Sequence, residues 1–231
     1  MIIEEMLTSV RSWWDTAVYL VPCVDYVYLT SRRGKVLQIP SRILVSDPDY
    51  RVIAYGVQAR EVEYAGTQRT KILTPFEPSV ITDEVGARLL LRAMIWEALG
   101  SRFLLKPVIH LVLPPTTSPF MRELWQRALF SAGARQVHAW HPALAAAAAV
   151  QLPYHTPHGY VVGWSDETSL GLTLLAFGQV QKETRVARHW KQGVEITPAE
   201  VQALWQTFLT EIPVEFAPTL RTDGVLWVTE D

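Results

Sequence analysis

A single cysteine, Cys23, stands in 231 residues, so no internal disulfide can form, and the usage fits a reducing cytosol. No run of five or more like charges occurs, and the formal net charge is only −2. A nucleic-acid partner is therefore not expected, because phosphate binding needs a concentrated basic face. No stretch reaches the roughly 18 uninterrupted apolar residues that a membrane-crossing helix requires. The N-terminus carries Glu4 and Glu5 where a secretory leader would carry lysines, so a cytoplasmic chain is expected. Repeats of fixed short period and low-complexity linkers are also missing.

What is present is a composition for burial. Apolar residues make up 49% and charged residues 19%, the balance of a folded chain with a sizeable core. Nine tryptophans exceed what a core of this size ordinarily uses. Residues 1–18 carry apolar positions at Ile3, Met6, Leu7, Val10, Trp13, Trp14 and Ala17, the rhythm of an amphipathic helix. Two strands follow around a turn at Ser31–Gly34, then an edge segment marked by Pro40, the strand "RVIAYG" and a short helix over Val57–Tyr64. A helix over Asp83–Leu99 leads to "PVIHLVLPP", whose continuous apolar run predicts a parallel strand covered on both faces. Ser118, Pro119 and Gly133 bound the next helix as cap, first-turn residue and stop. "RQVHAW" reads as a strand and "HPALAAAAAVQLP" as a closely packing helix. A hairpin over 160–175 has Gly163–Ser169 as its expected tight turn. "TPAEVQALWQTFLTEIP" opens with Thr197, Pro198 and Glu200, a capping box, and "DGVLWVTED" reads as a strand.

Taken together, "GKVLQIPSRILV", "VLPPTTSPFMRELWQRALFSAGARQVHAWHPALAAAAAVQLP", "YVVGWSDETSLGLTLLAFGQV" and "ITPAEVQALWQTFLTEIP" resemble the bacterial actin-like MreB family. The resemblance implies an α/β, actin-like (ribonuclease-H-like) fold, truncated, with mixed sheets flanked by helices. It divides the chain into the helix 1–18, a first domain over 19–158 with a small subdomain about 32–80, and a shortened second domain over 159–231. The helical subdomain that the family inserts after the strand ending near Arg188 is reduced to "HWKQGVEI".

The departures bear on function. The family cradles ATP phosphates on a first loop of the form Asp-x-Gly-Thr, where this chain has Tyr19, Leu20, Val21 and Pro22. Such a loop works through backbone N–H groups that approach phosphate where glycine removes the Cβ; proline deletes a donor and valine blocks the approach. The second loop, Asp-x-Gly-Gly-Gly-Thr in the family, reads Gly163, Trp164, Ser165, Asp166, Glu167, Thr168. Carboxylates within about 4 Å of a triphosphate cost several kcal/mol at an effective dielectric of roughly 20. The water-orienting glutamate before a proline is matched by His141 before Pro142, and the closing glycine-rich loop has no counterpart in "DGVLWVTED". The expectation is a pseudo-ATPase with no catalytic residues, no cofactor and no bound ATP.

Other candidates are weaker in chemistry. His138/His141 and His155/His158 each have His-x-x-His spacing, but a zinc site wants three or four convergent ligands, and polar rim residues are the expected reading. A hydrolase elbow needs glycine two residues after Ser165, where Glu167 stands. The apolar side of the N-terminal helix suits either a lipid surface or a protein surface, and Phe103, Leu104 and Leu105 align with a hydrophobic loop that the family uses at membranes. The expected function is a non-catalytic actin-like scaffold acting through protein contacts, with a filament subunit or envelope-assembly protein as partner. Its expected setting is cell shape or envelope organisation at the inner face of the membrane. The alternative is a small-molecule or metal-binding module built on a dismantled ATPase fold.

Overall fold

The computed structural model describes residues 16–23, 25–31, 36–63, 69–77, 80–100, 105–165, 169–187, 197–216 and 225–228. The chain divides into two compact units, Met1–Trp140 and His141–Asp231.

The first unit is built on a five-stranded sheet containing β1 (Ala17–Pro22), β2 (Tyr26–Ser31), β3 (Val36–Pro40), β9 (Val108–Val112) and β10 (Gln136–Trp140). Their order is β10-β9-β1-β2-β3. β1 runs parallel to β9 and antiparallel to β2. The expected helix 1–18 is therefore too long at its C-terminal end. Ala17 and Val18 belong to the strand, because "AVYLVP" alternates and sends Val18, Leu20 and Pro22 into the core. Positions Ile3 to Trp14 lie outside the described residues, as does the Ser31–Gly34 turn beyond Ser31 itself.

One face of this sheet is covered by α2 (Glu84–Leu99) and α3 (Pro119–Ala132). The carboxylate of Asp83 accepts from the N–H groups of Val85 and Gly86, satisfying two donors that a helix start leaves open. Ser118 does the same for Met121, and Gly133 ends α3 in the left-handed region at φ 113°. Between the helices and the sheet, Trp125 is fully buried and stacks on Phe76 at 4.8 Å. Burying such a side chain contributes about 1.5–3 kcal/mol. β9 departs from its expected double covering. Ile109 and Leu111 are buried, while Val108, His110 and Val112 are half-buried on the opposite face.

A smaller sheet in this unit, β5-β4-β6, comprises β4 (Ile43–Ser46), β5 (Val52–Tyr55) and β6 (Thr70–Leu73). Helix α1 (Val57–Glu63) seats Ala59 against Leu44 and Ala54. A ribbon of β7 (Phe76–Glu77) and β8 (Val80–Ile81) precedes α2.

The second unit has three layers. Its sheet is β13-β12-β11-β14, made of β11 (Tyr160–Ser165), β12 (Ser169–Ala176), β13 (Gln179–Ala187) and β14 (Val225–Val228). Every residue of β12 is buried, because α5 (Pro198–Glu211) covers one face and α4 (Pro142–Ala149) the other. Leu170, Leu172 and Leu174 meet Leu204 and Phe208 of α5, while Leu175, Val162 and Trp164 meet Ala143 and Ala147 of α4. Thr197 and Glu200 form the expected capping box at the start of α5. Four residues expected in the hairpin turn belong to strands instead. Gly163, Trp164 and Ser165 complete β11, β12 starts at Ser169, and Asp166, Glu167 and Thr168 lie outside the described residues.

Candidate functional site

Each unit holds one of the two hairpins that the sequence singles out. In the first, Tyr19, Val21 and Pro22 are ordinary ladder residues, opposite Thr30, Tyr28 and Val27 of β2. The N–H of Cys23 donates to the Tyr26 carbonyl across the turn at 2.8 Å, so it is already used inside the hairpin. Tyr19 is 39% exposed and its ring stacks on His110 at 4.8 Å.

The second hairpin is filled from within. Trp164 is buried, and its indole N–H donates to the hydroxyl of Thr173 on β12 at 2.8 Å. Its cross-strand partner is Gly171. A Cβ at that position would stand 2.3 Å from Trp164 Cζ2, so the indole takes the space that glycine leaves. Gly163 is buried opposite Leu172, and Ser165 is half-buried opposite Leu170.

His141 does structural work in the second unit. It is the N-cap of α4, with Nδ1 accepting the Ala143 N–H at 3.2 Å. That acceptor role leaves the ring proton on Nε2, which donates to Glu183 Oε2 on β13 at 2.7 Å. Both side chains are largely enclosed, at 17% and 22% exposure, and the Trp164 ring meets His141 edge-on at 6.2 Å. Both ring nitrogens are therefore engaged. Sequence reading finds His141 but not Glu183, which is 42 residues away and inside an unremarkable polar strand.

The remaining histidines disperse. His138 lies on β10 of the first unit and stacks on His110 at 5.5 Å, whereas His141 belongs to the second unit. His155 packs against Tyr154 at 4.2 Å, and His158 is exposed. Among the described residues, no group of three or more His, Cys, Asp or Glu side chains could hold a metal ion. Of Phe103, Leu104 and Leu105 only Leu105, half-buried, is described. No described helix is long and apolar enough to cross a membrane.

Two further polar ties bear on electrostatics. The phenol of Tyr55 donates to Glu97 at 2.7 Å, and burial followed by that carboxylate pushes its pKa up to about 12. Glu211 accepts from Thr184 at 2.8 Å and pairs with Lys182 at 3.1 Å, which hold its carboxyl below the usual carboxylate range. A cleft of about 230 Å3 in the first unit is lined by Asp25, Tyr26, Pro40, Arg42, Gly56 and Val57. It is smaller than the pockets of about 300–1,000 Å3 that enclose most small ligands.

Comparison with known proteins places this architecture. MreB5 of Spiroplasma citri bound to AMPPNP superposes with a TM-score of 0.67 at 15% identity, covering 92% of this chain and 84% of that one. A MamK double helical filament gives 0.63 at 8% identity, over 93% and 86% of the two chains. A non-polymerising MamK mutant bound to AMPPNP gives 0.67 at 10%, over 92% and 85%. These likenesses show the fold: actin-like, α/β, with mixed sheets flanked by helices. Comparison with curated protein sequences gives no match. The sequence profile described as MreB/Mbl protein matches residues 15–187, well over half of the chain. With both hairpins inside that match, the chain belongs to the MreB/Mbl family.

Proposed function

We propose that this MreB/Mbl-family chain is a non-catalytic actin-like scaffold that works through protein–protein contacts. The observation that carries the reading is the engagement of His141. It stands where the family resemblance places a water-orienting glutamate, and its two nitrogens are committed to Ala143 N–H and Glu183. A group that orients attacking water must keep a lone pair facing that water. The first hairpin supports the same reading, since Val21 and Pro22 stand where the family resemblance places the Gly-Thr pair that lets backbone approach phosphate, and both are ladder residues of β1.

Assembly with a filament subunit or an envelope-assembly protein, in cell-shape or envelope organisation at the inner membrane face, is the setting this reading favours. The MamK filament is a structural neighbour that assembles, which supports contacts between subunits as the working mode. The Phe103–Leu105 stretch, which the resemblance aligns with a hydrophobic loop of the family, is the segment proposed to approach lipid, and co-sedimentation with anionic liposomes tests that part alone. No pelleting removes the membrane from the reading.

The central test is a thermal-shift series with Mg-ATP, ADP and divalent cations, paired with a phosphate-release assay. The scaffold reading expects no saturable shift and no phosphate above the buffer rate. Saturable stabilisation by Mg-ATP with turnover overturns it. Stabilisation by a cation or small molecule without turnover replaces it with a ligand-binding module.

A further inference from the structure

Three segments of the first unit meet around the cleft of about 230 Å3, and main-chain hydrogen bonds fix them there. The Ser41 N–H donates to the Asp25 carbonyl at 2.8 Å, which ties the β3–β4 connection to the β1–β2 turn. The Gly56 N–H donates to the Arg42 carbonyl at 2.9 Å, which brings in the chain just after β5. Tyr26 and Pro40, which also line the cleft, are cross-strand partners on β2 and β3. The walls are thus set by backbone, so a ligand entering them meets little ordering cost. The charges are another matter. Asp25 is exposed and Arg42 is half-buried. Neither side chain has a hydrogen bond or ion pair among the described residues, and the two do not pair with each other. Ser41, between Pro40 and Arg42 in the chain, is 2% exposed, and its hydroxyl also has no partner among the described residues. A charged group leaves water cheaply only when a partner takes the water's place, and none of the described residues gives Arg42 one.

We infer that this cleft binds a small zwitterion, an α-amino acid in class, with its carboxylate on the Arg42 guanidinium and its ammonium toward Asp25. The chemistry selects both ends. A guanidinium presents a planar fork of donors that matches the two oxygens of a carboxylate. A carboxylate beside an aromatic ring suits an ammonium, and Tyr26 lines the cleft next to Asp25. Burial sets the direction, since Arg42 is the more enclosed of the two charges and Asp25 is open to solvent. Size agrees, because 230 Å3 is below the space that drug-sized ligands fill and suits a molecule of one residue. A ligand of single charge satisfies one of these groups and leaves the other without a partner, whereas a zwitterion satisfies both. Such a site is compatible with a scaffold and does not depend on it, since no amino acid enters the nucleotide and cation series that tests that reading.

Saturation-transfer NMR on the full chain tests this, with free glycine, alanine, serine, aspartate and lysine as zwitterions, and acetate and methylammonium as their separate halves. At least one of the amino acids is expected to give a saturable signal, with affinity several-fold higher than either half. Asp25→Asn should weaken that binding several-fold, and so should Arg42→Met, with Arg42→Lys in its place if the methionine variant does not fold. Arg51→Met, exposed and outside the cleft, should leave it unchanged. No saturable signal from any of the amino acids overturns the assignment. Acetate or methylammonium binding as tightly as the best amino acid overturns it too. Weakening by a substitution at only one of Asp25 and Arg42 also overturns it, in favour of a site for a single charge.

Discussion

The indole of Trp164 lies against the bare Cα of Gly171, its partner across the β11–β12 ladder. The two residues form one packing unit, since the ring fills the volume a side chain would need and its N–H is satisfied by Thr173. Gly171→Ala forces a methyl group into a position 2.3 Å from Cζ2 of a fully packed ring. The variant should lose about 1–3 kcal/mol of stability, the usual cost of overpacking. Urea denaturation followed by tryptophan emission measures it. Combining it with Trp164→Leu should recover part of the loss, because the smaller side chain vacates the site.

His141 and Glu183 make a second prediction, which also probes the functional reading. Replacing His141 with the family's glutamate puts two carboxylates where a 2.7 Å hydrogen bond now stands. His141→Glu is expected to lower stability by about 1.5–3 kcal/mol, the range for losing a hydrogen bond to a charged group. Adding Glu183→Gln should restore much of it by removing the repulsion. Neither variant should release phosphate from Mg-ATP, because the first hairpin is unchanged. Thermal unfolding together with the phosphate assay checks both parts.

Much of the secondary structure is legible because its signals are local. Thr197 with Glu200, Ser118 with Pro119, and Gly133 announce helix ends within one turn of the residues they serve. What stays hidden depends on partners distant in sequence. "GWSDETS" reads as a polar turn until the register sets Trp164 opposite Gly171, which draws the ring inward and extends β11 to Ser165. The apolar run around β9 suggests burial on both faces, yet alternation places His110 with Tyr19 and His138 on the second face. The site fares likewise. The substituted hairpin and His141 are visible in one dimension, whereas the engagement of His141 requires Glu183 from β13, the edge strand of the unit's sheet.

Tyr55 gives an alkaline prediction. Its pKa is raised from 10.0 to about 12, first by burial and then by the Glu97 carboxylate that accepts its proton. A group bound more tightly to its proton in the native state contributes stability that is complete below pH 10 and lost as pH rises toward 12. Tyr55→Phe removes that contribution, so its stability curve should be flatter over this window than the parent's. Denaturant midpoints at a series of alkaline pH values test it. Parallel curves for the two proteins would show that the phenol's proton is not held more tightly on folding.

The acid side is governed by Glu211, at the end of α5. Thr184 and Lys182, both on β13, stabilise its ionised form and lower its pKa below the ordinary 4.5. A depressed native pKa means the unfolded chain takes up the proton first as pH falls. The contribution is therefore present above 4.5 and lost as pH drops below it toward the native value. Because the carboxylate is solvent-exposed, the effect is screened and should shrink with added salt. Glu211→Gln keeps an acceptor for Thr184 but loses the charge, so its stability should vary less with pH in this range. Lys182→Met should act in the same direction but by less, since the Thr184 hydrogen bond is the larger cause and survives. Denaturant titrations of the three proteins in low and high salt measure the ranking. A steeper acid loss in Lys182→Met than in the parent would contradict the assignment of the ammonium as a stabiliser of the carboxylate.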